Sequence, residues 1–241
     1  MVNIDTVYQR VLVLANKEQR GYITPQEFNL FANQAQMDIF EQYFYDLNQF
    51  LRIPGNDTMH SDMVELLKEK INIFEKEDVI EGFVQPSIYE FGGDETVFNI
   101  EANLNDFYRL ENVRVYRNGN WRNVEKVSKK ELRVMNAAPL TKPTSNRPLY
   151  TMDGVNNIIN FYNDADTIAV DYIKKPIKVE WNGGLQGLYN STNSVDFELH
   201  SSEEVNLVIK ILGLAGITLK DPGLYQIAGA EDNKNIQQEK Q

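Results

Sequence analysis

Apolar residues recur at helical spacing from the start of the chain. Ile4, Val7, Tyr8, Val11, Leu14 and Ala15 fall three and four apart, which predicts a short amphipathic helix. A polar break at 16–21 follows, and then Thr24-Pro25-Gln26-Glu27 reads as a helix start. Thr24 suits the N-cap, Pro25 the first helical position, and Glu27 the reciprocal capping-box site. Phe28, Phe31, Ala35, Ile39, Phe40, Tyr43, Phe44, Leu47, Phe50 and Leu51 continue the stripe until Pro54-Gly55. The expected helix, Pro25 to about Leu51, is on the order of 40 Å long. A third helix is expected from Asp62 to about Glu75, with Val64, Leu67, Ile71 and Phe74 inward and Asp62 and Glu65 at capping-box spacing.

Near Val79 the period changes from helical to two. Thr96 to Ile100 is one expected strand. Tyr108 to Tyr116 runs into the hairpin signal Asn118-Gly119, with Trp121 on the return strand. Ser128-Lys129-Lys130-Glu131 caps a short helix ending near Asn136. After a surface loop at 138–148, a second hairpin pairs Leu149–Met152 with Asn157–Tyr162, turning at Asp153-Gly154. Thr167 to Ile173 continues the meander, and Val195 to Leu199 is a further short strand. Helix resumes at the capping pattern Ser201-Ser202-Glu203-Glu204, with Val205, Val208, Ile209, Leu212 and Ala215 inward and Gly216 at its end. A last helix is expected from Pro222 to Ala230.

The expected fold class is α+β, with N- and C-terminal helices packed together and an antiparallel β lobe, a small sheet or sandwich, inserted between them. The expected organisation is an N-terminal helical region at 1–78, the β lobe at 79–200, C-terminal helices at 201–230 and a flexible polar tail at 231–241.

Aromatic residues exceed what one helix face can hold. Phe40, Tyr43, Phe44, Tyr45 and Phe50 cover more than one side of the second helix, so part of this set is expected at a subunit interface. The stripe as a whole reads as core.

Composition narrows the chemistry. The 241 residues contain no cysteine, which excludes disulfides, thiolate nucleophiles and cysteine-ligated metals. The two histidines, His60 and His200, read as polar connector residues, and no metal or cofactor is expected. Asn163-Asp164-Ala165-Asp166 begins like a calcium loop, but Ala169 and Lys175 stand where an EF-hand needs glycine and glutamate. Gly92-Gly93-Asp94 and Gly183-Gly184 lack a phosphate-loop context. Lys129-Lys130 and Lys174-Lys175 read as solvated surface. A net charge of −11 disfavours nucleic-acid binding and suits a surface that DNA passes without sticking. No apolar run approaches the length of a membrane span, and Met1-Val2-Asn3-Ile4-Asp5 lacks the features of a secretory signal, so a soluble protein made in a cytoplasm is expected.

Two stretches carry a resemblance. Tyr22-Ile23-Thr24-Pro25-Gln26-Glu27-Phe28-Asn29 through Met37-Asp38-Ile39-Phe40-Glu41-Gln42-Tyr43 is similar to virion structural proteins of tailed phages, notably crAss-like and related marine podoviruses. Tyr172-Ile173-Lys174-Lys175-Pro176, Trp181, Phe197-Glu198-Leu199-His200 and the helix from Glu203 to Gly216 look like the same group. The resemblance implies a non-catalytic head-to-tail connector, an adaptor or ring protein in the virion neck, assembled in the host cytoplasm. It further implies a homo-oligomeric ring, a dodecamer, contacting the portal and neighbouring tail proteins, with genomic DNA passing through the channel. The alternatives are a tail-tube or capsid-auxiliary protein, or a virion-associated hydrolase built on paired carboxylates. A hydrolase requires a deep pocket with perturbed acids. A ligand-binding β lobe requires Trp121 or Trp181 exposed along a groove.

Overall fold

The computed structural model describes residues 1–17, 23–52, 58–81, 86–87, 95–99, 104–117, 119–144, 146–153, 158–162, 167–183 and 188–218. The fold is α+β, with one unit inserted in the sequence of another. Unit 1 is Met1–Ile73 with Pro176–Gln241, and unit 2 is Phe74–Lys175.

Unit 1 contains α1 (Ile4–Lys17), α2 (Pro25–Arg52), α3 (Thr58–Asn72) and α5 (Glu204–Thr218), with α5 packed on α1 and α2, and α2 on α3. The start of α2 is the expected capping box. The Thr24 backbone N–H donates to Glu27 at 2.9 Å, and the Glu27 N–H donates to the Thr24 hydroxyl at 3.3 Å. That hydrogen bonding holds the exposed Glu27 carboxyl below its ordinary range. Asn3 caps α1 by accepting from the Thr6 N–H at 3.0 Å. Ile4, Val7, Tyr8, Val11, Phe28, Ala32, Ala35, Ile39, Phe40, Leu207, Ile211 and Ala215 fill the interior.

Several expectations in unit 1 need correction. Helix α3 starts at Thr58, so Asp62 lies inside it and His60 is in its first turn; Asn56 and Asp57 offer start signals one turn upstream. It also ends at Asn72, which leaves Phe74 outside the helix, because strand pairing begins at Glu75. Residues 195–199 form two isolated bridges, Val195 with Glu180 and Phe197 with Val2, instead of a strand. Helix α5 is preceded by a 3₁₀ turn, Ser201–Glu203, whose cap is the His200 side chain, accepting from the Ser202 N–H at 3.2 Å. Its buried face is Leu207, Val208, Ile211, Leu212 and Ala215, whereas Val205 is 56% exposed, and the helix passes Gly216 to end at Thr218. A helix apolar nearly all round offers no single stripe from which to choose the inward face. The expected helix at 222–230 and tail at 231–241 lie outside the described residues.

Unit 2 holds two sheets. One runs β1-β9-β4-β5, comprising β1 (Glu75–Glu81), β4 (Phe107–Arg117), β5 (Asn120–Asn123) and β9 (Thr167–Lys174). The other runs β2-β3-β8-β7-β6, comprising β2 (Pro86–Ser87), β3 (Glu95–Asn99), β6 (Glu125–Lys126), β7 (Leu149–Asp153) and β8 (Ile158–Tyr162). Among the described residues the strand pairs are antiparallel except the short parallel pair β6–β7. Alternation sends Val113, Val115, Ile168, Val170 and Tyr172 to one face, where they share a core with Tyr150 and Met152 of the second sheet. Gly119 closes the β4–β5 hairpin at φ +82°, a conformation that glycine adopts without strain. Helix α4 (Lys129–Ala137) carries the expected capping box between Ser128 and Glu131.

The unit boundaries differ from the expected lobe at 79–200. Strand β1 pairs with β9 from Glu75↔Ile173 onward, which brings the lobe's start forward. The described residues of 176–200 have no ladder with the lobe, and the stretch belongs to unit 1.

Candidate functional site

The five aromatics expected at an interface separate by depth. Phe40 is fully buried and Tyr43 nearly so, while Phe44 and Phe50 are half-buried and Tyr45 is 60% exposed. Phe40 and Phe44 meet edge to face at 5.1 Å. The Lys70 ammonium stands 5.5 Å from the centre of the Tyr43 ring. Lys70 also pairs at 2.7 Å with Glu203, which in turn accepts from Asn206 at 2.8 Å. Phe40 and Tyr43 thus help to build the interior of unit 1. Tyr45, on the outer side of α2, is the member most available to a neighbour.

The inner side of α2 carries an arrangement that apolar periodicity does not reveal. Asn29, Asn33 and Gln36 hold the extended segment at 177–181 by its backbone. Asn29 donates to the Trp181 carbonyl at 3.1 Å and accepts from its N–H at 2.8 Å. Asn33 does the same for Val179, at 2.9 and 3.0 Å. Gln36 donates to the Ile177 carbonyl at 2.8 Å and accepts from the Glu198 N–H at 3.3 Å. The Ile177 N–H donates to the Glu198 carboxylate at 2.9 Å. Each carboxamide presents one donor and one acceptor, as a peptide unit does. The spacing fits, since four helical residues rise about 6 Å and two extended residues span about 6.6 Å. Gln36, only three residues beyond Asn33, has an extra methylene with which to reach. The available signal was three carboxamides at i, i+4 and i+7 on one side of a long helix.

Beside this ladder the Trp181 ring packs on Tyr8 at 4.5 Å, and Tyr8 on Phe28 at 4.6 Å. The Trp181 indole N–H donates to Asp5 at 2.9 Å, and Trp181 is 5% exposed, so it is a core residue. A surface cleft of about 640 Å³ opens here, lined by Tyr8, Leu12, Asn29, Glu180 and Trp181 among others. Glu180 is the one acid among the described lining residues, which therefore hold no carboxylate pair.

Unit 2 concentrates its polar contacts on β9. The Tyr172 hydroxyl lies 2.8 Å from Asp78 and 2.9 Å from Asp106, and Lys76 pairs with Asp106 at 2.6 Å. Burial, followed by the two carboxylates, pushes the Tyr172 phenol well above its ordinary value. Partial burial pushes Asp106 up, but Lys76 and Tyr172 together hold it below the usual carboxylate range. Arg114 bridges Glu77 and Asp171 across the sheet and lies 5.8 Å from the Trp121 ring. Trp121 is 44% exposed and packs on Tyr116 at 5.2 Å. One of the two tryptophans is therefore accessible, beside an arginine already paired twice.

Among the described residues no three His, Asp or Glu side chains come together as a metal site. The sequence at 163–166 lies outside the described residues. No helix among the described residues is long and apolar enough to cross a membrane. Neither a family model nor a curated protein matches the chain.

Proposed function

We propose that this chain is a structural, non-catalytic subunit of a tailed-phage virion: a head-to-tail connector that forms a ring between portal and tail. The observation that carries the reading is where the two phage-like stretches fall. The first, at 22–43, contributes α2 with Asn29 and Gln36, and the second contributes Trp181 and Glu198, whose backbone groups these two carboxamides hold. Apart from Tyr172–Lys175, which belongs to unit 2, the residues that carry the resemblance thus meet within unit 1. Rigidity suits a ring subunit, which presents fixed surfaces to two neighbours. The exposed Tyr45 on α2 and the acidic surface, −11 overall, agree with this reading. The hydrolase alternative lacks a second acid in the described cleft.

Electron microscopy of the purified chain, alone and mixed with the portal protein of its phage, tests the proposal. Rings of twelve-fold symmetry are expected in the mixture. Monomers throughout, with the portal present, contradict it.

A further inference from the structure

The charge of the chain is unevenly distributed. Residues 122–147 carry seven Lys and Arg against two Asp and Glu, a net +5 in a chain of −11, which leaves −16 on the rest. Both acids are engaged locally. Glu125 accepts from Arg147 at 2.8 and 3.1 Å, and Glu131 is closed into the capping box with Ser128. Lys126, Lys130 and Lys142 are exposed, with no acid within ion-pair distance among the described residues.

This segment is one built protrusion. Val127, Leu132 and Leu149, with Met135, anchor α4 beneath β7. The loop after α4 folds back on it. The Thr141 hydroxyl donates to the Met135 carbonyl at 2.9 Å, and the Lys142 N–H to the Ala138 carbonyl at 3.2 Å. Arg122 reaches Asn146 at 2.6 Å, which closes the segment on itself. Among the lysines stand two apolar side chains in the open, Val134 at 67% and Leu140 at 98% exposed. Binding to DNA rests chiefly on cations that neutralise phosphates, whereas an interface with a protein also seats apolar side chains such as Leu140 and Val134.

We infer that the α4 protrusion of one copy docks on an acidic surface of a second copy of this chain. The net −16 outside the protrusion supplies the complementary charge. A patch that differs from the surface it meets makes a head-to-tail contact, the type that closes into rings. The inference rests on the reading of the chain as a self-assembling subunit and locates the contact that would build it.

The test is sedimentation velocity of the full chain at low and high salt. It compares the natural sequence with Lys126→Glu/Lys130→Glu/Lys142→Glu and with the milder Lys126→Gln/Lys130→Gln/Lys142→Gln. All three positions are exposed, and circular dichroism checks that each variant is folded. Self-association that weakens with salt is expected, reduced about a hundredfold by charge reversal and about tenfold by neutralisation. Zero-length carbodiimide crosslinks between isotopically distinct copies are expected to join these lysines to Asp or Glu outside 122–147. Association unchanged in folded variants overturns the inference and leaves the connector reading standing. A natural chain that stays monomeric at every concentration and salt overturns the inference, and monomers that persist with the portal present overturn the connector reading as well. Binding of labelled duplex DNA that the reversal abolishes, with association intact, assigns the protrusion to nucleic acid instead.

Discussion

Two extended segments of this chain, β9 and the stretch at 177–181, follow one another in sequence and are held by different chemistry. Strand β9 lies between β1 and β4, paired with both through backbone N–H and C=O groups. The next stretch has a single backbone bridge, Glu180 with Val195, on one side, and on the other three carboxamide side chains of α2 stand where a neighbouring strand would. A backbone ladder is indifferent to residue type so long as the alternation is right. A side-chain ladder depends on each residue and fails wherever one is changed. The first arrangement tolerates substitution; the second is locally unforgiving.

The largest expected effect comes from breaking the carboxamide ladder at its centre. Asn33→Ala removes both partners of Val179, a buried residue, and is expected to cost about 2–4 kcal/mol. In denaturant unfolding, Asn112→Ala on β4, whose side chain meets Asp171 at 3.3 Å, is expected to cost under about 1 kcal/mol. Equal losses would show that the two segments are not held differently. The sandwich should respond to volume instead. Val113 is fully buried, and Val113→Ala is expected to cost about 2 kcal/mol. Hydrogen-exchange mass spectrometry should place that loss in peptides of β4 and β9 and leave those of α2 unchanged.

Smaller effects sharpen the contrast at the edges of unit 2. Ser128→Ala removes the α4 cap and is expected to cost about 1 kcal/mol, read as faster exchange in 129–132. The Tyr172 phenol is raised above its ordinary value of 10.0 in the folded protein. Its contribution is therefore whole below pH 10, where the phenol is neutral in both states, and declines as pH rises further. Alkaline titration of stability should show this fall in the natural chain and lose it in Tyr172→Phe. Asp106 has the opposite sign, since its folded value is depressed; its contribution is present at neutral pH and fades as pH falls below about 4.

The same contrast explains what was legible in the sequence. Thr24-Pro25-Gln26-Glu27 and Ser128 to Glu131 are local devices, complete within four residues, and both appear as expected. The β4–β5 and β7–β8 hairpins were legible because alternation and turn residues are local too. The α2 side of residues 177–181 was not, because the three carboxamides that hold it lie more than 140 positions away and are side chains. Helix α5 was found, and Val208, Leu212 and Ala215 of its expected inward face are buried, but Val205 is exposed and Leu207 and Ile211 take its place, since its neighbours choose the face. Of the five aromatics expected at an interface, Phe40 and Tyr43 show that a surplus on one helix is partly absorbed by the packing of α2 on α3 and α5. Lys129-Lys130 read as ordinary surface because the cluster forms only when β6, α4 and the loop through Arg147 fold together.

The central claim, that this chain is a structural ring subunit of a virion neck, is tested most directly by the copy number and symmetry of the chain in a purified intact particle. A reconstruction of the particle by electron microscopy is expected to place twelve copies in one ring against the portal. Absence from the particle, or a single copy at another location, would contradict the account.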